Sequence, residues 1–299
     1  MSDESTVIVT GANSGIGLEA ARELGRRGGR VVLACRSPER GAGALEQLCR
    51  EVPEDRFELM QLDLGSLASV RAFAAQFSEA HERLDVLCNN AGVMAIPRRL
   101  TEDGFEQQLG VNHLGHFALT GLLLPRLQAT DGSRVVTVTS LAHRMGRIRF
   151  DDLMGERHYA KWEAYGQSKL ANLLFARELQ RRLQQRGSST ISVACHPGYA
   201  ATNLQHVGPQ LEGSALNAVI MRVGNALLAQ SSEAGARPTV YAATEPGLRG
   251  GELIGPGGPG QLWGRARVVS RSSRASRDPQ LARRLWEVSE ELTGVRYLD

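Results

Sequence analysis

The chain has 299 residues, 42% of them apolar and 22% charged, the composition of an ordinary globular protein with one large domain or two small ones. A net charge of +3 is too small for a nucleic-acid footprint, so DNA and RNA are set aside as partners. The longest central apolar stretch, 117–127, is broken by Thr120, Gly121, Pro125 and Arg126 and is too short to span a bilayer, so no membrane role is expected.

The predicted elements alternate. A strand at Val7–Thr10 is followed by a helix over 15–27, and a strand at Arg30–Cys35 by a helix near 38–50. A third strand, 57–62, precedes a helix over 66–80, and a fourth runs over 84–88. A long helix near 102–128, a strand at 134–139, a helix near 158–186 and a strand at 190–194 complete the pattern. Strands that alternate with helices are parallel and joined by crossovers. Their continuously apolar runs mean that helices cover both faces of the sheet. The fold class is therefore α/β, a doubly wound parallel sheet of the Rossmann type, read as a single domain over 1–299. Ligands of such sheets bind beyond the carboxyl ends of the strands.

The tail reads differently. Residues 199–231 lack a strand pattern and are expected to form a helical, mobile substrate-loop segment. A C-terminal extension over about 256–299 includes an Arg/Ser-rich stretch, 264–277, expected as a solvated loop, and helical spacing over 281–292. Just before it, one short strand is expected at 251–254. The four cysteines, Cys35, Cys49, Cys88 and Cys195, form no CxxC or Cys/His pattern, so no metal is expected. They read as small buried hydrophobes in a reducing compartment. Residues 1–6 lead directly into a strand without the basic and apolar regions of a signal peptide, and a cytoplasmic location is expected.

Directly after the first strand comes Gly11-Ala12-Asn13-Ser14-Gly15-Ile16-Gly17. Glycines let a backbone turn sharply and approach a pyrophosphate, and the helix beginning here offers free N–H groups and a positive dipole end. An ordinary strand–helix turn is the alternative, which the position after the first strand disfavours. At the end of the second strand, NAD-binding chains tend to carry an acid for the ribose hydroxyls. Here Cys35 and Arg36 stand there. A guanidinium recognises phosphate with a planar fork of donors, which favours NADP(H); a solvated surface Arg36 is the competing explanation.

Tyr165 and Lys169 lie four residues apart in a helical stretch and share a face. A phenol near pKa 10 is poorly matched to proton transfer at neutral pH, and a nearby ammonium would lower that value. Such pairs are usually structural when met alone. Of 35 basic residues, however, only Lys161 and Lys169 are lysines, which hints that Lys169 is kept where a compact ammonium is required.

Taken in order, the Thr10–Gly17 loop, Asn89-Asn90-Ala91-Gly92, Ser140, Tyr165-x-x-x-Lys169 and Pro197-Gly198 resemble the short-chain dehydrogenases/reductases. Segments 33–36, 112–117 and 168–172 resemble the branch that holds retinol dehydrogenases and protochlorophyllide reductase. The resemblance covers roughly residues 5–205. It implies that Ser140 hydrogen-bonds the substrate oxygen, Tyr165 exchanges the proton, and Lys169 binds the nicotinamide ribose. It also implies that Asn112 holds a relay water and that Asp63, with Leu64 beside it, meets the adenine. Asn90, Ala91 and Gly92 would line the adenosine half, and Pro197, Gly198 and Thr202 would hold the nicotinamide amide. Asn112 has the competing explanation of a polar residue on a buried helix. Two departures stand out: Ser140 and Tyr165 are 25 residues apart, about double the family spacing, and His196 precedes Pro197. The insertion 144–162, with His158, Tyr159 and Trp162, is expected to border the substrate pocket, plain packing being the alternative.

The expected activity is hydride transfer between NADP(H) and a small-molecule carbonyl or alcohol, mainly as ketone or aldehyde reduction. A non-catalytic NADP-binding scaffold or sensor and a C=C reductase are the alternatives. A homo-oligomer is a further expectation, since relatives often pair through the two long helices.

Overall fold

In the computed structural model, which describes residues 5–199 and 231–298, the apolar runs become the strands of one sheet. They are β1 (Thr6–Thr10), β2 (Arg30–Cys35), β3 (Phe57–Gln61), β4 (Val86–Asn89), β5 (Arg134–Val138), β6 (Ile191–Cys195), β7 (Leu253–Pro256) and β8 (Ala266–Val268). The order is β3-β2-β1-β4-β5-β6-β7-β8. Every neighbouring pair is parallel except β7–β8. The chain reverses its direction of travel across the sheet between β1 and β4, which opens a crevice at their carboxyl ends.

Eight helices lie among the described residues: α1 (Gly15–Arg26), α2 (Pro38–Cys49), α3 (Leu67–Ala80), α4 (Gln107–Leu109), α5 (Gly115–Gln128), α6 (Lys161–Gln185), α7 (Ser232–Thr244) and α8 (Pro279–Thr293). A π-helical turn, Gly110–Leu114, joins α4 to α5. Successive strand residues feed opposite faces, as a pleat requires. Val7 and Val9 pack with Leu24 of α1, Leu48 of α2 and Val240 of α7. Ile8 packs on the other side with Phe77 of α3, Leu123 of α5, Leu179 of α6 and Trp286 of α8.

Three expectations change. The long helix begins at Gln107 rather than near 102, because the buried Glu106 carboxylate accepts the N–H groups of Gln108 and Leu109 and caps it there. The 264–277 stretch is not simply a solvated loop: β8 pairs antiparallel with β7, and a 3-10 turn forms at Ala275–Arg277. The short strand expected at 251–254 lies at Leu253–Pro256. The segment 199–231 and Thr202 fall outside the described residues, apart from Tyr199 and Ser231.

α8 and the tail behind it lie across α5 and α6. Trp286 stacks on Phe175 and meets Phe117 and Tyr297 edge-on or tilted, at ring distances of 4.7–5.9 Å. The Tyr297 hydroxyl donates to the Phe117 carbonyl, and a Cβ on Gly121 would strike the Tyr297 ring at 2.4 Å. The chain's own C-terminal part therefore covers this face of the two long helices. Among the described residues no helix is long and apolar enough to cross a membrane.

Candidate active site

At the carboxyl end of β1 the backbone turns through Gly11 (φ +67°) and Gly15 (φ +57°), left-handed values that favour glycine. The loop is also tight. A Cβ on Gly17 would lie 2.5 Å from the Gly11 carbonyl and from Asn90 Nδ2, and one on Gly11 would press on Ala91 at 3.0 Å. Ser14 stands at the N-cap of α1 but makes no capping bond, so the first amides of α1 keep their donors and the dipole end faces the crevice. Ile16 packs partly buried against the core. The Cys35 sulfur lies beside the amides of Ala12 and Asn13, while burial pushes that thiol up to about 11. Cys35 thus meets the loop as an uncharged group.

Thr10 ties the loop to β4. Its hydroxyl accepts the amides of Asn90 and Ala91, each at 2.9 Å, and Asn90 Nδ2 donates to the Thr10 carbonyl. His116 Nδ1 faces the Asn112 carbonyl, so it carries the proton, and Nε2 accepts from the Thr10 hydroxyl at 2.9 Å. Burial lowers the His116 pKa to about 4, which keeps this neutral arrangement at ordinary pH. Arg36, just past β2, is exposed, and its guanidinium has no ion-pair partner among the described residues. Asp63 accepts the Gly65 amide through Oδ1, and Leu64 is buried against α5, where its carbonyl leaves no room for a Cβ on Gly115.

The sequence-predicted catalytic residues meet between β5 and α6. Ser140 follows β5 and caps a short turn by accepting the Ala142 amide. The Ser140 side chain lies beside the Tyr165 phenol. Burial pushes the Tyr165 phenol up to about 12, and Ser140, rather than Lys169, is the neighbour that pulls it back down. Lys169 Nζ sits 5.9 Å from the Tyr165 ring centroid and donates to the Val138 carbonyl. Burial lowers its pKa to about 8. Thr139 Oγ1 donates to the Lys169 carbonyl, and Asn172 Nδ2 to that of Val138, which fixes this turn of α6 on the strand end.

Asn112 lies within the π-helical turn. Its Oδ1 accepts the Val93 amide, and Nδ2 donates to the Val93 carbonyl and to Ser168 Oγ. The side chain thus clamps the segment after Gly92 to α6. A Cβ on Gly92 would lie 3.0 Å from Asn112 Oδ1 and 3.4 Å from Lys169 Nζ, so only a glycine leaves this approach open.

The insertion flagged in the sequence, and residues that were not flagged, complete the surroundings. A Cβ on Gly146 would lie 2.2 Å from the Gly166 carbonyl, so the insertion crosses α6 at backbone contact, beside Tyr165. Gln167 then holds it twice, by accepting the Arg149 amide and donating to the Leu153 carbonyl. Together they enclose a cavity of about 600 Å³ lined by Met145, Arg149, Tyr159, Ala164 and Gln167 among others. The Trp162 ring meets Tyr165 edge-on at 6.2 Å. Past β6, Gly198 (φ +74°) approaches Leu262 so closely that a Cβ would lie 2.3 Å from its carbonyl. The glycine pair 146/166 carried a signal in sequence only as two glycines flanking an insertion.

Comparison with known proteins gives a consistent picture. A family model described as short chain dehydrogenase matches residues 5–210. Retinol dehydrogenase 13 of Homo sapiens is 45% identical over 292 residues, covering 97% of this chain and 85% of that protein. Retinol dehydrogenase 12 of Mus musculus is 42% identical over 291 residues, covering 97% and 87%. Among solved structures, an uncharacterized protein from Mycobacterium paratuberculosis matches with a TM-score of 0.80 at 46% identity, over 98% of this chain and 95% of that one. The NADP active-site complex of Pseudomonas aeruginosa RhlG shares the fold, with a TM-score of 0.65 at 23% identity over 84% and 93%.

Proposed function

The chain belongs to the short-chain dehydrogenase family of oxidoreductases, and from that premise we propose that it uses NADP(H) to interconvert a carbonyl compound and its alcohol, chiefly by reducing a ketone or aldehyde. The observation that carries this proposal is the placement of Ser140 beside the buried Tyr165 phenol, whose pKa it lowers, with Lys169 one turn further along the same helix face.

The residues present fit the cofactor. The loop of Gly11, Asn13, Ser14, Gly15, Ile16 and Gly17 would cradle a pyrophosphate, its tight path possible only because a Cβ at Gly11 or Gly17 is absent, since one there would strike Ala91, the Gly11 carbonyl or Asn90. Arg36 would take the 2′-phosphate and Asp63 with Leu64 the adenine. Asn90, Ala91 and Gly92 would line the adenosine half, Tyr165 and Lys169 the nicotinamide ribose, and Pro197, Gly198 and Thr202 the amide. When bound, the nicotinamide supplies or accepts the hydride.

The protein handles the proton. Ser140 donates a hydrogen bond to the carbonyl oxygen and holds it against Tyr165. Because burial keeps the phenol protonated, Tyr165 stands ready to donate to that oxygen during reduction. Lys169, protonated below about pH 8, restores that proton and repels none of the uncharged groups around it. Asn112, whose carbonyl meets His116 Nδ1, would hold the relay water. The 144–162 insertion would form one substrate wall. The reaction is assigned to the cytoplasm, where four unpaired cysteines stay reduced. Pairing between copies, also part of the proposal, uses surfaces other than the α5–α6 face that α8 covers.

The cofactor assignment is tested by titrating NADPH and NADH into wild type and Arg36→Ala at low salt. Wild type should prefer NADPH, and the variant should lose about ten- to a hundredfold of that preference, the worth of a charge-assisted phosphate contact. Equal affinity of wild type for both cofactors contradicts the assignment.

A further inference from the structure

Gln261 lies in the C-terminal extension, far in sequence from the catalytic residues, yet it is buried and has a left-handed backbone (φ +63°). A residue other than glycine is strained there. Such strain persists where the side chain is held by its surroundings, and here it is held on both ends. Gly198 N–H donates to His196 Nδ1, so His196 carries its proton on Nε2 and donates from there to Gln261 Oε1 at 3.2 Å. Arg144 Nη2 donates to the same oxygen at 2.7 Å. The other end of the amide, Nε2, donates to the Arg271 carbonyl. Both neighbours of Oε1 are donors and the neighbour of Nε2 is an acceptor, so the amide has one orientation.

The two donors come from the two loops that flank the chemistry. Arg144 ends the turn that Ser140 begins, and His143 of that turn donates to the Ser140 carbonyl. His196 begins the Pro197–Gly198 loop. The Tyr199 amide donates to the Leu262 carbonyl, so the residue next to Gln261 grips the far end of that loop. Gly255 leaves the space that the His196 ring fills, a Cβ there lying 2.3 Å from Nε2.

We propose that Gln261 is a positioning residue: its side-chain oxygen locks the nicotinamide-side loop, 196–199, to the turn behind Ser140. The inference rests on the cofactor assignment above and adds a third element, the C-terminal extension, to the site. Gln261 touches neither substrate nor cofactor. Burial holds His196 down at about 4, with His143 and Arg144 acting in the same direction, so the neutral ring is the form that donates at working pH.

Gln261→Gly separates positioning from plain structure, because glycine suits the left-handed backbone better than glutamine while removing the clamp. Two probes are titrated: NADP+, and adenosine 2′,5′-bisphosphate, which lacks the nicotinamide half. Gln261→Gly should weaken NADP+ about tenfold while leaving the bisphosphate within about twofold of wild type. Its melting temperature should not fall. Gln261→Glu, which restores an acceptor for both donors but sets its second oxygen against the Arg271 carbonyl, should recover part of the loss. The proposal is overturned if Gln261→Gly binds NADP+ as wild type does, or if it loses both probes equally. Wild type that binds neither probe overturns the cofactor assignment itself and the inference with it, an outcome distinct from the other two.

Discussion

The two walls of the crevice are made on opposite terms. At the end of β1 the working groups are backbone amides, and the side chains matter by being absent: Gly11 and Gly17 leave room that a single methyl would take, and Gly15 turns the chain at a left-handed φ. At the end of β5 the working groups are side chains, and two of them matter by being buried: the Tyr165 phenol and the Lys169 amine are taken out of water, with the half-buried Ser140 hydroxyl beside them. The first wall is tolerant of chemistry and intolerant of volume. The second has room for small changes in volume but none in proton affinity. A substitution can therefore injure one wall and spare the other.

Lys169→Arg sets the sharpest contrast on the catalytic wall. It keeps the charge but replaces a compact ammonium with a broad fork that cannot give up its proton near neutral pH. Carbonyl reduction by this variant should fall by about 10²-fold or more, nearly as far as in Lys169→Ala. Steady-state kinetics on both variants checks this; near wild-type turnover by Lys169→Arg would mean that charge alone suffices.

Gly17→Ala applies the opposite injury. Its methyl would lie 2.5 Å from the Gly11 carbonyl, so the loop must open, at a cost of about 1–3 kcal/mol. NADP+ affinity should weaken about tenfold while the Tyr165–Ser140 pair is untouched, so turnover at saturating cofactor stays close to wild type. A variant with wild-type affinity and impaired turnover would reverse the contrast.

The smallest effect is the pH profile. Lys169 carries its proton below about pH 8 and loses it above, whereas Tyr165, at about 12, stays protonated throughout. The kcat/KM for reduction should be flat below pH 8 and fall by up to about tenfold per unit above it. A fall beginning near pH 6 would point to another titrating group.

Much of this was legible in the sequence because it rests on local rules. The strands declared themselves as apolar runs, and each internal parallel strand lies within a residue or two of its expected position. The glycine loop and the i,i+4 pair followed from spacing. What stayed hidden depends on partners far along the chain. α7 was not read, because Gly235 and Pro238 interrupt its helical period. β8 was taken for a loop, because three residues flanked by arginine and serine become a strand only once β7 offers an edge. The pull of Ser140 on the Tyr165 pKa was hidden behind the nearer and more obvious Lys169. The cover that α8 lays over α5 and α6, and the grip of Gln261 on two distant loops, have no local signature at all.

The most direct test is NADPH oxidation over a panel of aldehydes and ketones, run side by side on wild type and Tyr165→Phe, with NADPH binding measured in both. The ring is kept in the variant and only the proton donor is removed. Wild type should oxidise NADPH with at least one carbonyl, and Tyr165→Phe should bind NADPH normally while its turnover falls by about 10²-fold or more. Tyr165→Phe that reduces the same carbonyl at the wild-type rate, or wild type that binds NADPH and reduces no member of the panel, would contradict the account.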